Sequence, residues 1–222
     1  MASTLKHPVA SIAGVIFALG WPLAFLFIPS QRHQDLINLS QDRAIVIFEW
    51  AAVVVLALII IFWERLALFA STGFRRLRRA DIIIIAVLIV LTIGAYVLAW
   101  ARRGSTDATL MSYAAIPFGL RFVLVFTAGI CEEFCFRGYA IERLTALTGK
   151  PWIGAIAAVA LFTLGHFGRY GLSQGLIVVA AIGAVLSFLY VWRRNIWPCI
   201  ALHWFIDGTQ LLVFTAFVGH AH

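Results

Sequence analysis

Residues 126–144, FTAGICEEFCFRGYAIERL, place two adjacent carboxylates inside an otherwise apolar run. No loop-forming residue precedes Gly138, so the stretch predicts one continuous helix. Adjacent helix positions point about 100° apart, and Glu132 and Glu133 are therefore predicted to have different roles. Glu133 and Arg137 have the i,i+4 spacing of an intrahelical ion pair, which lowers the cost of burying both charges. Glu132 is then free to face another helix.

The composition of the whole chain predicts that this helix lies in a membrane. Of the 222 residues, 63% are hydrophobic and 12% are charged, whereas a soluble domain has about 25% charged residues. The mean hydropathy is +0.97. The net charge of +7 does not indicate nucleic-acid binding, because no basic stretch is interleaved with stacking aromatic residues. The three cysteines lie in or beside apolar stretches and are predicted to be unpaired.

Seven apolar blocks of roughly bilayer-spanning length recur along the chain. They lie at about 8–29, 44–63, 82–101, 110–133, 152–167, 173–192 and 196–218. The fifth block is short and leads into the Gly-rich stretch 165–175, which could be re-entrant, so six to eight spans are compatible with the pattern. The predicted fold class is all-α, a polytopic transmembrane helical bundle with about seven spans.

The distribution of Lys and Arg predicts how the bundle is oriented. With the N-terminus in the cytoplasm, eleven basic residues fall in cytoplasmic segments and five in outer loops. Basic residues near span ends stay on the cytoplasmic side, so a cytoplasmic N-terminus is favoured.

Ionisable side chains inside the apolar blocks are candidate functional groups, because each costs about 3 kcal/mol or more to insert. His166 lies in ALFTLGHFGRYG, and His203 and Asp207 lie in WPCIALHWFIDGTQ. The last two share one helix face at i,i+4. Glu133 lies 16 residues before Gly149 and His166 lies 17 residues after it. A hairpin that turns at Gly149 would therefore bring both to the same depth.

Each of these residues also has a structural explanation. The paired glutamates could be solvated at the end of a span, His166 could be a satisfied core side chain, and Asp207 could simply bond His203. Glu49 and Arg121 could pair between helices or polarise a substrate path, and the structural role is favoured for both.

The polar residues form three motifs in a fixed order. They are E-E-x-x-x-R at Glu132, Glu133 and Arg137, F-x-x-x-H at Phe162 and His166, and H-x-x-x-D at His203 and Asp207. This pattern, over residues 132–207, resembles the CAAX-protease and bacteriocin-processing (CPBP, or ABI) family of intramembrane proteases, which includes the type II CAAX prenyl endopeptidases. The resemblance implies hydrolysis of a peptide bond in a membrane-associated or prenylated peptide. We expect a multi-pass protein of a bacterial or archaeal plasma membrane.

The resemblance also implies roles for the residues of the first two motifs. Glu132 would be the general base that activates a water, aided by His166. Glu133 and Arg137 would brace the helix. The expected organisation is a single integral-membrane domain over residues 1–222, with N-terminal spans and a basic cytoplasmic loop in 1–109 and the catalytic helices in 110–222.

The third motif would stabilise the oxyanion of the tetrahedral intermediate through His203 and Asp207. The family allows Asn or Asp at the last position. An ionised Asp cannot donate a hydrogen bond, so Asp207 would have to be protonated, orient His203 or bind a metal. Zinc is the candidate cofactor, and hydrolysis with or without a metal stays open. The candidate zinc ligands are Glu132, His166, His203 and Asp207.

Two other functions remain open on the sequence. Buried Glu and His residues also form proton relays, so a proton-coupled small transporter is one alternative. The chain shows no duplicated half, which disfavours this function. A non-catalytic membrane scaffold or immunity-type protein is the other. The complete set of buried polar residues disfavours it, because a scaffold would gain stability from apolar replacements.

Overall fold

The computed structural model describes residues 7–27, 39–103 and 113–218. Within these ranges the chain is helical and contains no β-strand, so the all-α prediction is confirmed. Parts of two predicted blocks, 28–29 and 110–112, lie outside the described residues. The predicted boundary between residues 109 and 110 lies there too.

The described residues of the N-terminal half form three α-helices, with a short 3-10 helix (Ala70–Thr72) between the second and the third. Pro8 occupies the first turn of the first of them, where its missing N–H costs nothing. The helices are α1 (Pro8–Gly20), which continues as a 3-10 turn (Trp21–Phe27), α2 (Leu39–Leu58), which ends in a π-helical turn (Ile59–Trp63), and α3 (Arg79–Arg103).

The C-terminal half begins with α4 (Phe118–Glu132), which runs without a break into a π-helix (Glu133–Ile141) and then α5 (Glu142–Thr148). Gly149 ends α5 with φ at +71°, a left-handed cap that glycine adopts without strain. Pro151 then starts the next helix. The predicted continuous helix and the turn at Gly149 are confirmed. The π-helical geometry was not predicted.

The remaining helices complete the bundle. The Gly-rich stretch after α6 holds the short helix α7 and a turn. The elements are α6 (Pro151–Gly165), α7 (Phe167–Tyr170), α8 (Gln174–Arg193), α9 (Trp197–Gly208), a π-helical turn (Thr209–Phe214) and α10 (Thr215–Val218).

Three of the described helices are long and apolar enough to cross a bilayer. They are Asp42–Trp63, Arg79–Leu98 and Gln174–Arg193. Pro8–Ala24 and Pro151–Gly165 are shorter apolar helices. The chain is therefore an all-α helical membrane protein. The count of about seven spans and the cytoplasmic N-terminus stay predictions.

The π-helix after α4 forms the centre of the core, and all of its side chains are buried. It packs against α1, α2, α6 and α8. Gly14 of α1 allows close approach, because a β-carbon there would collide with the Tyr139 hydroxyl. Gly129 of α4 likewise makes room for the Trp204 ring of α9. The second of these contacts holds α9 against the helix that carries the paired glutamates. The three cysteines are buried and unpaired, as predicted.

Candidate active site

His203 of α9 lies at the centre of the candidate site, with 5% of its side chain exposed. Its Nδ1 is 2.8 Å from Glu133 Oε1. Its Nε2 faces two other carboxylates, Asp207 Oδ2 at 3.4 Å and Glu132 Oε2 at 3.7 Å. The two adjacent glutamates thus approach opposite ends of one imidazole. Their contacts with the ring differ, because Glu133 is hydrogen-bonded to it and Glu132 lies beyond hydrogen-bond distance.

An ion pair outside the site links the two chain segments that lead to Glu133 and His203. Glu142 Oε2 accepts a hydrogen bond from Arg194 Nη2 at 2.7 Å, at the end of the bundle where α5 begins and α8 finishes. Glu133 precedes Glu142 by nine residues, and His203 follows Arg194 by nine residues. Because the two segments lead away from the same ion pair, their site residues arrive at a similar depth.

The predicted ion pair between Glu133 and Arg137 is confirmed. Arg137 Nη1 donates to Glu133 Oε1 at 2.8 Å, and both side chains are fully buried. Arg137 Nη2 also donates to the Gly183 carbonyl of α8 at 3.2 Å. Its guanidinium lies 4.7 Å from the centroid of the Phe162 ring on α6. Arg137 therefore fixes Glu133 and joins the π-helix to two further helices.

The partners of Glu133 determine where His203 carries a proton. Glu133 Oε1 already accepts a hydrogen bond from Arg137 Nη1. His203 Nδ1 lies 2.8 Å from the same oxygen and is assigned as a second donor to it. This contact orients the ring and directs Nε2 toward Asp207 and Glu132.

Glu132 differs from Glu133 in that neither of its carboxylate oxygens accepts a hydrogen bond from the described residues. The distance of 3.7 Å to His203 Nε2 exceeds that of a hydrogen bond. No other side chain in the described ranges hydrogen-bonds the Glu132 carboxylate, and 14% of its side chain is exposed. Asp207 is more open, with 31% exposed. A small molecule between Nε2 and the Glu132 carboxylate could bond to both.

His166 lies at the C-terminal end of α6, at the edge of this cluster. Its Nδ1 is 2.8 Å from the Phe162 carbonyl one turn earlier. Because a carbonyl only accepts, Nδ1 is the donor and Nε2 is left for other partners. His166 interacts electrostatically with Glu132, although the two are not in direct ionic contact. The Phe162 ring lies between the two histidines, with centroid distances of 4.6 Å to His166 and 6.5 Å to His203.

Glu49 of α2 also belongs to the site, although the sequence favoured a structural role for this residue. It is 5% exposed, and its Oε2 has no hydrogen-bond partner among the described residues. It interacts electrostatically with Glu132, His203 and Asp207. The adjacent Trp50 Nε1 donates to Thr127 Oγ1 on α4 at 3.1 Å, which ties this part of α2 to the helix that leads to Glu132.

The suggested ion pair between Glu49 and Arg121 does not form. Arg121 instead donates from Nη1 to the Leu211 carbonyl at 2.9 Å and to Thr215 Oγ1. The reason is position along α4. Arg121 lies about three turns before Glu132, whereas Glu49 lies beside the site. The sequence signal for Glu49 was its charge within an apolar block, but its neighbours depend on tertiary packing.

The candidate zinc ligands do not make up a ligand set. Within the part of the chain that the structure describes, no group of three or more His, Cys, Asp or Glu side chains is arranged to hold a metal ion. His166 also uses Nδ1 for its own helix. Zinc therefore stays a prediction from the resemblance.

Comparison with known proteins gives one match. Residues 114–209 match the family model described as Type II CAAX prenyl endopeptidase Rce1-like. No curated protein and no solved structure matches the chain. The matched range includes all three motifs and excludes Glu49. The resemblance drawn from the three motifs is thus confirmed by a family model, and residues 114–209 of this membrane protein are similar to the type II CAAX prenyl endopeptidase Rce1-like family.

Proposed function

We propose that this protein is an intramembrane endopeptidase that hydrolyses a peptide bond of a membrane-associated or prenylated peptide. We further propose that it is a multi-pass protein of a bacterial or archaeal plasma membrane. The family match supports a CAAX-type protease. The observation that carries the mechanism is the pairing of a fixed imidazole, His203, with a carboxylate that has unused acceptors, Glu132.

Glu132 is the general base in this proposal. It takes a proton from a water held between its carboxylate and His203, while the water oxygen bonds to the carbonyl carbon of the substrate. A positioned base of this kind contributes about 10²- to 10⁴-fold to rate. When the tetrahedral intermediate collapses, Glu132 gives the proton to the leaving amine nitrogen and the C–N bond breaks. One water is consumed, and an acid and an amine are formed.

His203 is the oxyanion donor in this proposal. With Nδ1–H held by Glu133, a second proton on Nε2 makes the ring cationic and directs an N–H toward the developing charge. Asp207 lies 3.4 Å from Nε2 and would support that positive charge. Of the three roles considered for Asp207, support and orientation of His203 fits this distance without requiring a neutral carboxyl group.

Glu49 is proposed as a positioning residue. Its buried carboxyl group adds a hydrogen-bonding group on the α2 side of the cluster, where its free Oε2 could hold the attacking water against Glu132. This role requires a polar side chain at position 49. It does not require a negative charge there.

The test is cleavage by the purified full chain in lipid nanodiscs. We expect a peptide with a prenylated C-terminal CAAX sequence to be cut, with products whose summed mass exceeds the substrate by one water. The same assay is run on the unprenylated peptide and on a peptide attached to a transmembrane helix. Their cleavage shows whether the enzyme requires a prenyl group or only attachment of the peptide to the membrane. Glu132→Gln should abolish cleavage. Glu142→Gln is the matched control, because Glu142 is bonded to Tyr190 and Arg194 outside the site.

A metal requirement can be tested in the same assay. Inhibition by a chelator that zinc reverses, together with bound zinc in the purified protein, would support the zinc-dependent alternative. Full activity after chelation would support activation of water by Glu132 alone. Failure to cleave any of the three peptides, with the chain folded, would contradict the protease proposal.

A further inference from the structure

A basic pocket lies outside the candidate active site, where the start of α3 meets the end of α8. It encloses about 170 Å³. The residues that line it are Arg75, Arg76, Arg78, Asp81, Arg193 and Asn195. Four arginines against one aspartate give the pocket a net positive charge, so it suits an anion.

The single acid in the pocket is already neutralised. Asp81 is 1% exposed and accepts from Arg193 Nε at 2.7 Å and from Asn195 Nδ2 at 3.4 Å. It also accepts from the backbone N–H of Arg78 at 2.8 Å, as an acid in the first turn of a helix does in a capping box. These bonds hold the Asp81 side chain in place at the base of the pocket. The net positive charge of the pocket therefore comes from its arginines.

The arginines at the rim are free to bind a ligand. Arg75, Arg76 and Arg78 are exposed, and within the described ranges none has a carboxylate oxygen within 4.0 Å. Three neighbouring guanidinium groups repel one another unless an anion lies between them. Guanidinium groups bind phosphate oxygens with well-matched paired hydrogen bonds.

The pocket lies at the end of two candidate spans. Arg79–Leu98 begins there and Gln174–Arg193 ends there. The exposed Trp192 ring lies 5.3 Å from the Arg193 guanidinium, and Leu77 is exposed in the same segment as the rim arginines. Tryptophan and basic residues at span ends are typical of the headgroup layer of a bilayer. The anion available at that level is the lipid phosphate.

We propose that this pocket binds the phosphate of an anionic phospholipid headgroup. Basic pockets between transmembrane helices bind such headgroups, and each arginine near the surface contributes measurably. Free inorganic phosphate has the same chemistry, and the test must separate the two sources. The proposal is independent of the protease function.

Native mass spectrometry of the full chain in detergent, titrated with phosphatidylglycerol or phosphatidylcholine, measures discrete lipid binding. We expect tighter binding of phosphatidylglycerol. Arg75→Gln/Arg78→Gln should weaken it about 30-fold. The Asp81 bonds survive this change because Arg78 contributes only its backbone N–H. Arg75→Gln alone should weaken binding about fivefold and guards against misfolding of the double variant.

The matched control is Arg65→Gln/Lys150→Gln, which removes two exposed positive charges outside the pocket. We expect it to bind phosphatidylglycerol like the unchanged chain. Equal loss in both double variants, or no preference over phosphatidylcholine, would overturn the proposal in favour of diffuse surface charge. Displacement of the lipid by inorganic phosphate would overturn the lipid assignment and indicate a site for free phosphate. Retention in the presence of phosphate supports the lipid site.

Discussion

Two of the buried charged clusters among the described residues differ in how completely their polar atoms are bonded. The His203 cluster consists of His203, Glu132, Glu133, Arg137 and Asp207. The Glu64 cluster consists of Glu64, Arg143, Ser11, Tyr139 and Ser71. Both contain a glutamate–arginine ion pair in which each side chain is less than 5% exposed.

The Glu64 cluster is fully bonded. Glu64 Oε1 accepts from Ser11, Tyr139 and Arg143, and Oε2 accepts from Arg143 Nη2 at 2.7 Å. Arg143 Nη1 also donates to the Ser71 carbonyl at 2.7 Å. A buried network with every acceptor satisfied holds helices together. It has no capacity left for a ligand.

The His203 cluster is incompletely bonded. Glu133 Oε2 and Arg137 Nε have no partner among the described residues, and the Glu132 carboxylate accepts no hydrogen bond from them. Buried polar groups are normally satisfied, so unsatisfied ones need an explanation such as catalysis or an absent ligand. The comparison indicates that one ionic cluster supports the fold while the other retains bonding capacity for chemistry.

A large effect that separates the clusters is expected at His203. His203→Asn should lower cleavage about 10³-fold, because the oxyanion donor is lost. The peptide-cleavage assay in nanodiscs measures the effect, and His7→Asn, outside both clusters, is the control. Cleavage by the His203 variant at more than a tenth of the unchanged rate would remove this residue from the chemistry.

Removing the arginine of either cluster should cost about 3–5 kcal/mol of stability, because each substitution leaves a buried carboxylate without its ion-pair partner. Arg137→Met and Arg143→Met can be compared by thermal unfolding in detergent. We expect Arg143→Met to keep its cleavage rate per folded molecule. An Arg137→Met variant that is inactive yet as stable as the unchanged chain would place Arg137 in the chemistry instead.

Position 49 should show a smaller effect. Glu49→Leu should lower cleavage about tenfold, and Glu49→Gln less, because an amide still offers hydrogen bonds to the attacking water. Thr127→Val is the matched control, since it removes a polar contact of the same helix interface without touching the cluster. Equal rates for Glu49→Leu and the unchanged chain would show that Glu49 is structural.

The smallest effect is a pH dependence of stability at Glu64, which lies just beyond a candidate span. Burial alone would raise the pKa of Glu64, but hydrogen bonds from Arg143 and Ser11 and the charge of Arg143 lower that pKa below its usual value. A lowered folded-state pKa stabilises the fold above the unfolded pKa, and this contribution is lost as the pH falls through the folded value.

Thermal unfolding of the unchanged chain and of Glu64→Gln, measured from pH 7 to about pH 2.5, tests this sign. The difference in unfolding temperature should be largest at neutral pH and should shrink on acidification. A difference that grows as the pH falls would contradict the assigned direction.

The spacing of residues along the chain was enough to predict the ion pair and the turn within residues 133–151. The ion pair of Glu133 and Arg137 follows from i,i+4 geometry, and the hairpin follows from Gly149 and Pro151. The π-helix could not be predicted, because its residues have the same apolar pattern as an α-helix. Its whole length is buried in the core, where packing stabilises a rare geometry.

Contacts between distant segments could not be predicted. Glu64 and Arg143 are 79 residues apart, so no local pattern links them. Glu49 was recognised as a buried charge, but its position beside Glu132 depends on the packing of α2 against α4. The family resemblance indicates which distant residues form the site only within residues 114–209. Glu49 and Glu64 lie outside that range.

The most direct test of the central claim measures cleavage and unfolding temperature on the same preparations of Glu132→Gln and Glu64→Gln. The account predicts that Glu132→Gln loses cleavage by about 10³-fold or more and keeps its unfolding temperature. Glu64→Gln should unfold at a lower temperature and keep its cleavage rate per folded molecule. Cleavage by Glu132→Gln within tenfold of the unchanged chain would contradict the assignment of Glu132 as the base.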